Sequence, residues 1–320
     1  MRKPTFSLQS PLSSEIIDVP APDWLNLYVC GYDIQVQRGQ KLAAGAELAR
    51  HPKPLGGVVH APMSAVVDKA DFAYVTMKAS AALDPLPPMD IPEDTEGLRE
   101  ALRTLGVRMD RFMLNREILV INGVNPEPTV SVAEQLMRDA QPTLLRGLEA
   151  VRKLIAPQRM VLVTATLDQN LPGCETVRVK PEYPNSLSDL AVLAATGREK
   201  PENTIAVSVM KLWFIGRIME TGRPVTDTVF TLAGKNYRAV LGTPLSYILE
   251  FAGVPINAGD RLVIGGPMRG YTVYDVDHGL EKGAYAVTVV PKDAFPPWSA
   301  IPASIAANAS CTARRASGRT

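Results

Sequence analysis

Cysteine is scarce in this chain. The three in 320 residues, Cys30, Cys174 and Cys311, are odd in number and far apart. That excludes a disulfide framework, which needs a paired and closely spaced set, and it fits a reducing, cytoplasmic setting. Charge of one sign is lacking too. The formal net charge is +1, and binding to nucleic acid or an anionic membrane surface needs clustered basic charge, so neither partner is expected. No apolar run reaches the length of a membrane-spanning helix. Met1-Arg2-Lys3 leads into Pro4, Ser7 and Gln9 rather than an apolar segment, so neither a signal peptide nor direct membrane insertion is expected. No Ser-His-Asp, Cys-His or paired-carboxylate arrangement stands out, and no catalytic residue is assigned. No metal site is assigned either: His51 and His60 read as surface histidines, and Asp275, Asp277 and His278 as a turn between strands.

What is present is enough apolar residue, 46%, to bury two or three cores. Residues 34–68, IQVQRGQKLAAGAELARHPKPLGGVVHAPMSAVVD, are short apolar strands punctuated by glycine, an all-β piece with tight hairpins. Lys53, near a hairpin tip, reads as a solvated turn residue. Residues 83–93, LDPLPPMDIPE, form a proline-rich linker. Strand and helix then alternate. Thr95–Leu105 reads as a helix, Glu117–Ile121 as a buried strand, and Val132–Ile155 as helical with an interruption at Pro142. Arg159–Thr164, Thr176–Lys180 and Asn203–Val209 are further strands, and Met210–Ile218 is an apolar helix. Together they predict a parallel α/β sheet. From Thr226 the order becomes strand, strand, helix, strand. Thr243 and Pro244 stand as N-cap and first helical residue, Gly253 ends that helix, and Arg261–Ile264 runs into Gly265-Gly266-Pro267-Met268-Arg269-Gly270.

This last order, GRPVTDTVFTLAG … LGTPLSYILEFAGV … RLVIGGPMRG, resembles the soluble-ligand-binding β-grasp module of RnfC, the peripheral subunit of the Rnf electron-transport complex. RnfC is itself related to the flavin-carrying subunit of respiratory complex I and to the cobalamin reductase of propanediol utilisation. The resemblance implies an α/β plus β chain: a barrel-sandwich hybrid and linker over 1–92, a Rossmann-like domain over 93–222, a β-grasp domain over 223–292 and a flexible tail over 293–320. It further implies membrane and soluble subunits of a redox complex as partners, on the inner face of the cell membrane.

The family's cofactor motifs are altered here. Its FMN loop, of the form GLGGAGFP, is matched by Leu105-Gly106-Val107-Arg108-Met109-Asp110. NGAECEP becomes Asn122-Gly123-Val124-Asn125-Pro126-Glu127-Pro128, and YPxGGEKQ becomes Tyr183-Pro184-Asn185-Ser186-Leu187-Ser188-Asp189. TGRE is kept as Thr196–Glu199, while QNVGTA becomes Ser208–Trp213. Of the family's cluster cysteines only Cys311 has a counterpart, with Arg314 and Ser317 at the next two ligand positions. The expectation is an accessory subunit without FMN, without [4Fe–4S] and without NADH oxidation. Asn122, Glu127 and Thr196 are the contacts to flavin if any is held. A flavin-dependent NADH-oxidising subunit with a rearranged pocket, and a ligand-binding module using the β-grasp part alone, are the alternatives.

Overall fold

In the computed structural model, which describes residues 6–294 apart from Ala82 and Leu167, short strands come first. They are β1 (Ile17–Asp18), β2 (Trp24–Tyr28), β3 (Asp33–Ile34), β4 (Lys41–Leu42), β5 (Glu47–Arg50), β6 (Val58–His60), β7 (Ala65–Ala70) and β8 (Tyr74–Ala79). Apart from β1 they make two sheets, ordered β2-β8-β7-β4 and β3-β5-β6. Every pairing in them is antiparallel. Leu25, Leu48, Val67, Val75 and Met77 fill the space between.

Strand and helix alternate next: α1 (Thr95–Thr104), β9 (Ile118–Asn122), α2 (Val132–Asp139), α3 (Gln141–Ile155), β10 (Arg159–Thr164), β11 (Glu175–Arg178), α4 (Ser188–Thr196), β12 (Thr204–Ser208) and α5 (Val209–Thr221). The four strands are parallel, in the order β11-β10-β9-β12. Leu119 and Ile121 of β9 join a core with α1, α2, α3 and α5, whereas Val120 faces α4 and Leu8 from the start of the chain. Burial on both faces is why this strand reads as an unbroken apolar run. The helical stretch 132–155 breaks at Ala140 rather than at Pro142. Pro142 lies in the first turn of α3, where the N–H it lacks would have had no partner within the helix. α3 and α5 cross at two glycines. A Cβ on Gly147 would lie 2.0 Å from the Leu212 carbonyl oxygen, and one on Gly216 1.9 Å from that of Thr143.

The remainder is β13 (Asp227–Leu232), β14 (Lys235–Val240), α6 (Leu245–Ala252), β15 (Arg261–Ile264), β16 (Tyr271–Val273) and β17 (Ala286–Val290). They and β1 form one sheet, β1-β14-β13-β17-β15-β16. Ala233 and Gly234, both at positive φ, make the tight turn that suits the twist of the β13–β14 hairpin. Leu245, Ile248 and Leu249 of α6 pack on Phe230, Leu262 and Ile264. Gly253 ends α6 at φ +66° as expected, but the cap differs at the other end. Pro244 takes the N-cap position, and the Thr243 hydroxyl donates instead to the Val240 carbonyl at 2.7 Å, bracing the turn before the helix.

The first residues belong to the later parts of the chain. Ser7 bridges to Glu182, Leu8 enters the core beneath α4, and β1 pairs in parallel with β14. Cys311, Arg314 and Ser317, with the tail around them, lie outside the described residues. Overall the protein is a mixed α/β chain of several sheets and six α-helices among the described residues.

Candidate functional site

From β9 the chain goes to one side for β10 and β11 and returns on the other side as β12, so the strand order reverses between β9 and β12. In parallel sheets that reversal opens a crevice beyond the carboxyl ends of the strands. Here it becomes a cavity of about 620 Å3. Asn122 and Val124 follow from β9, and Ser208, Met210 and Lys211 from the junction of β12 and α5. Gly106 and Val107 come from the end of α1. Tyr28, Cys30 and His60 of the first sheets, with Arg269, Lys282 and Tyr285 of the last, close the other walls.

Gly106 ends α1. Its φ is +93°, its N–H reaches the Arg103 carbonyl at 3.1 Å, and the Val107 N–H reaches that of Leu102 at 2.8 Å. Those two bonds, with the buried contact partners Leu102 and Val107, are a Schellman motif, the common helix stop that calls for glycine. The Leu105 N–H bonds to Ala101 and the Met109 N–H to Leu55, both at 2.9 Å. The glycine retained from the family's loop therefore shapes a helix end, and the amides of residues 105, 106, 107 and 109 already have partners inside the protein. A phosphate or flavin edge approaching this turn would find no free backbone donors at residues 105, 106, 107 and 109.

The three residues named as conditional flavin contacts are dispersed. Asn122 lines the cavity, but its amide donates to the Ser186 carbonyl at 2.8 Å and accepts from the Val124 N–H at 3.2 Å. Thr196 sits at the last turn of α4, its hydroxyl bonded to the Val192 carbonyl at 2.7 Å, and does not line the cavity. Glu127 is fully buried. Its carboxylate accepts from the backbone N–H groups of Met268 and Arg269 and from the Tyr285 hydroxyl, with the Arg269 guanidinium 3.6 Å away. Gly266 makes that approach possible, since a Cβ there would stand 2.7 Å from a Glu127 oxygen. The loop GGPMRG thus folds over a carboxylate of the parallel-sheet part.

Asn125 has a similar structural task. Its amide donates to the Leu8 carbonyl at 3.3 Å and accepts from the Glu134 N–H at 3.1 Å, a pairing an ionised acid could not complete because it has no donor.

The cations were harder to see in the sequence. Lys282 donates to the Gly106 carbonyl at 3.0 Å and lies 6.0 Å from the centre of the Phe214 ring. Burial and the neighbouring Lys211 push its ammonium down to about 7. Burial lowers Lys211 to about 8, with Asp110 opposing and Arg108 and Arg111 adding to the effect. His60 is no surface histidine: it lines the cavity, and burial together with Lys282 lowers it to about 4. His278 departs from the loop reading as well. It is 5% exposed, bonded to the Tyr74 hydroxyl at 2.9 Å and to Glu281 at 2.8 Å, tying the first sheets to the last. Only spacing could have revealed these residues, and nothing in the sequence brings positions 60, 211 and 282 together.

A lysine whose ammonium is lowered in the fold is charged more completely when unfolded. The unfolded chain then binds more protons above pH about 7, and stability rises with pH until other groups intervene. Burial raises the Cys174 thiol to about 11, and that contribution is lost above its ordinary value near 9. Chemical denaturation should accordingly show the unfolding midpoint rising between pH about 7 and about 9. Lys282→Met should flatten the rise.

No protein-family profile matches the chain. Curated relatives do. The chain is 28% identical over 213 residues to the C subunit of the ion-translocating oxidoreductase complex of Pectobacterium carotovorum, covering 58% of this chain and 28% of that one. It is 26% identical over 212 residues to the protein of the same name from Actinobacillus succinogenes, with 59% and 30% covered. For that of Vibrio cholerae the values are 26% over 308 residues, with 80% and 40% covered. The matches thus span well under half of those relatives' own length. Among solved structures, an NAD+-reducing [NiFe]-hydrogenase in the H2-reduced state aligns with TM-score 0.47 and 14% identity over 63% of this chain and 49% of that one. By sequence the chain is RnfC-like, a relative of the C subunits of ion-translocating oxidoreductase complexes.

Proposed function

We propose that the protein is an RnfC-like accessory subunit of an ion-translocating oxidoreductase complex and that it contributes structure rather than electron transfer. Its frame in this reading is a barrel-sandwich hybrid, a Rossmann-like domain and a β-grasp domain, set against membrane and soluble partners at the inner face of the cell membrane. The observation that carries the accessory role is the turn at Gly106, where the amides of residues 105, 106, 107 and 109 are bonded within the protein at the place relatives are expected to hold FMN. Among the described residues no helix is long and apolar enough to cross a membrane. A partner face is available on the edge of the last sheet. There Met268, Tyr271, Tyr274 and Val276 are 39%, 49%, 102% and 40% exposed, and contiguous exposed apolar groups mark association surfaces.

A flavin-dependent reading draws on the size of the cavity, and one experiment separates the two. Purified protein equilibrated with FMN and then dialysed should retain none, and NADH-dependent dye reduction should stay at background. Stoichiometric flavin retention would overturn the accessory role.

A further inference from the structure

We propose that the cavity between Lys211 and Lys282 is a binding site for a small organic carboxylate, an anionic head carried on a compact apolar body. The inference rests on the reading that no flavin occupies this crevice.

The head is argued from charge. Lys211 is the third residue of α5, whose N-cap Ser208 accepts the Lys211 N–H at 3.3 Å. The positive end of a helix dipole is an unfavourable place for an ammonium and a favourable one for an anion. Its side chain lines the cavity without a hydrogen bond or ion pair among the described residues. Lys282 faces the same space with one carbonyl partner, leaving two of its three donors free. Two ammonium groups in one half-buried cavity repel each other, and an anion placed between them removes the conflict.

Carboxylate is favoured over phosphate because of what is missing around the lysines. The amides of residues 105, 106, 107 and 109 are paired internally. Arg269 is held by Pro126 and Glu127, and Arg108 lies 3.8 Å from Asp110. Arg108 keeps its donors, but its side chain is 60% exposed, so the buried part of the wall offers no guanidinium fork for a third and fourth oxygen. Two ammonium donors match the two oxygens and single charge of a carboxylate. The body is argued from Val107, Val124, Met210, Phe214 and Leu280, which are among the apolar residues of the wall. Such a mixture of apolar surface and a few convergent polar groups is the usual make-up of a small-molecule site.

Other charges facing the lysines do not cancel them. Glu281 is engaged by Tyr271 and His278, and Asp110 by Arg108 with Arg111 nearby. His60 is held neutral at ordinary pH, with Glu47 beyond it. Tyr285 is bonded to Glu127. Binding should therefore take up a proton near neutrality and weaken as pH rises through about 8, where Lys211 loses its charge.

The test uses the full chain in calorimetric titrations with 2-naphthoate, its uncharged isostere 2-naphthamide, and inorganic phosphate. Naphthoate is expected to bind at least about tenfold more tightly than the amide or phosphate. Lys211→Met should weaken it about tenfold or more without lowering the unfolding midpoint below that of the parent, and Lys211→Arg should restore part of the loss. Equal binding of acid and amide, or affinity indifferent to Lys211→Met, would overturn the proposal. FMN retained in a parallel dialysis would instead sink the accessory reading, so the two failures are told apart.

Discussion

Gly147→Val should abolish recovery of folded protein. The α3–α5 crossing brings the two backbones so close that even the first side-chain carbon at position 147 would overlap the Leu212 carbonyl at 2.0 Å. Real Cβ atoms do not approach an oxygen to within that distance, so the helices would have to separate. Separation would open the core holding Leu144, Leu148, Val151, Leu212, Ile215 and Ile218. Over-packing of a well-filled core typically costs about 1–3 kcal/mol when neighbours can yield. Here the neighbour is backbone, and the cost should exceed about 4 kcal/mol, the range in which single substitutions unfold marginal domains. Expression with circular dichroism and a thermal scan checks it. A Gly147→Val protein with a cooperative transition within a few degrees of the parent would show that this crossing is not as described.

Glu127→Ala comes second in expected size. It removes one fully buried carboxylate and leaves four donors behind: the Met268 and Arg269 amides, the Tyr285 hydroxyl and the Arg269 guanidinium. Arg269 is 38% exposed, so the cost comes mainly from the amides and hydroxyl left without an acceptor, about 1–3 kcal/mol for each such group that stays buried. Because the donors belong to residues 268–285 and the acceptor to residue 127, the damage should be directional. Hydrogen exchange should accelerate at Met268 and Arg269 far more than in β10 and β11. Uniform acceleration, or none, would remove Glu127 from the joint between these parts. Glu127→Gln, which keeps an acceptor for the amides but removes the charge facing Arg269, should fall between.

Much of the fold was legible because it is written in local chemistry. The alternation in Thr226–Leu232, the Ala233-Gly234 turn and the apolar spacing of Leu245, Ile248 and Leu249 are signals a short window carries, and each found its element in β13, β14 and α6. Arg261–Ile264 matched β15 to the residue. What local chemistry could not carry was partnership. The capping hydroxyl of Thr243 looked toward α6, but a carbonyl behind it was a better acceptor. His278 reads as a turn residue until Tyr74, some two hundred positions earlier, is set against it. The retained Asn122, Glu127 and Thr196 looked like one group because two family motifs supplied them, yet each side chain has its own hydrogen-bond partners. Lys282 offered no pattern at all. Its importance comes from burial beside Lys211, which only the tertiary structure supplies.

The opening segment has a bearing on how the molecule is made. Ser13 accepts from the Asn236 amide at 2.8 Å, Leu8 donates to the Pro181 carbonyl at 2.8 Å, and Ile17 and Asp18 lie beside Tyr237 and Arg238. These residues leave the ribosome before β2 and must wait until β14 has been synthesised before their native neighbours exist. Closing loops of such length is entropically slow, so this segment joins late. During translation the emerging chain therefore presents an unsatisfied strand and a bare leucine, a natural landing place for a chaperone.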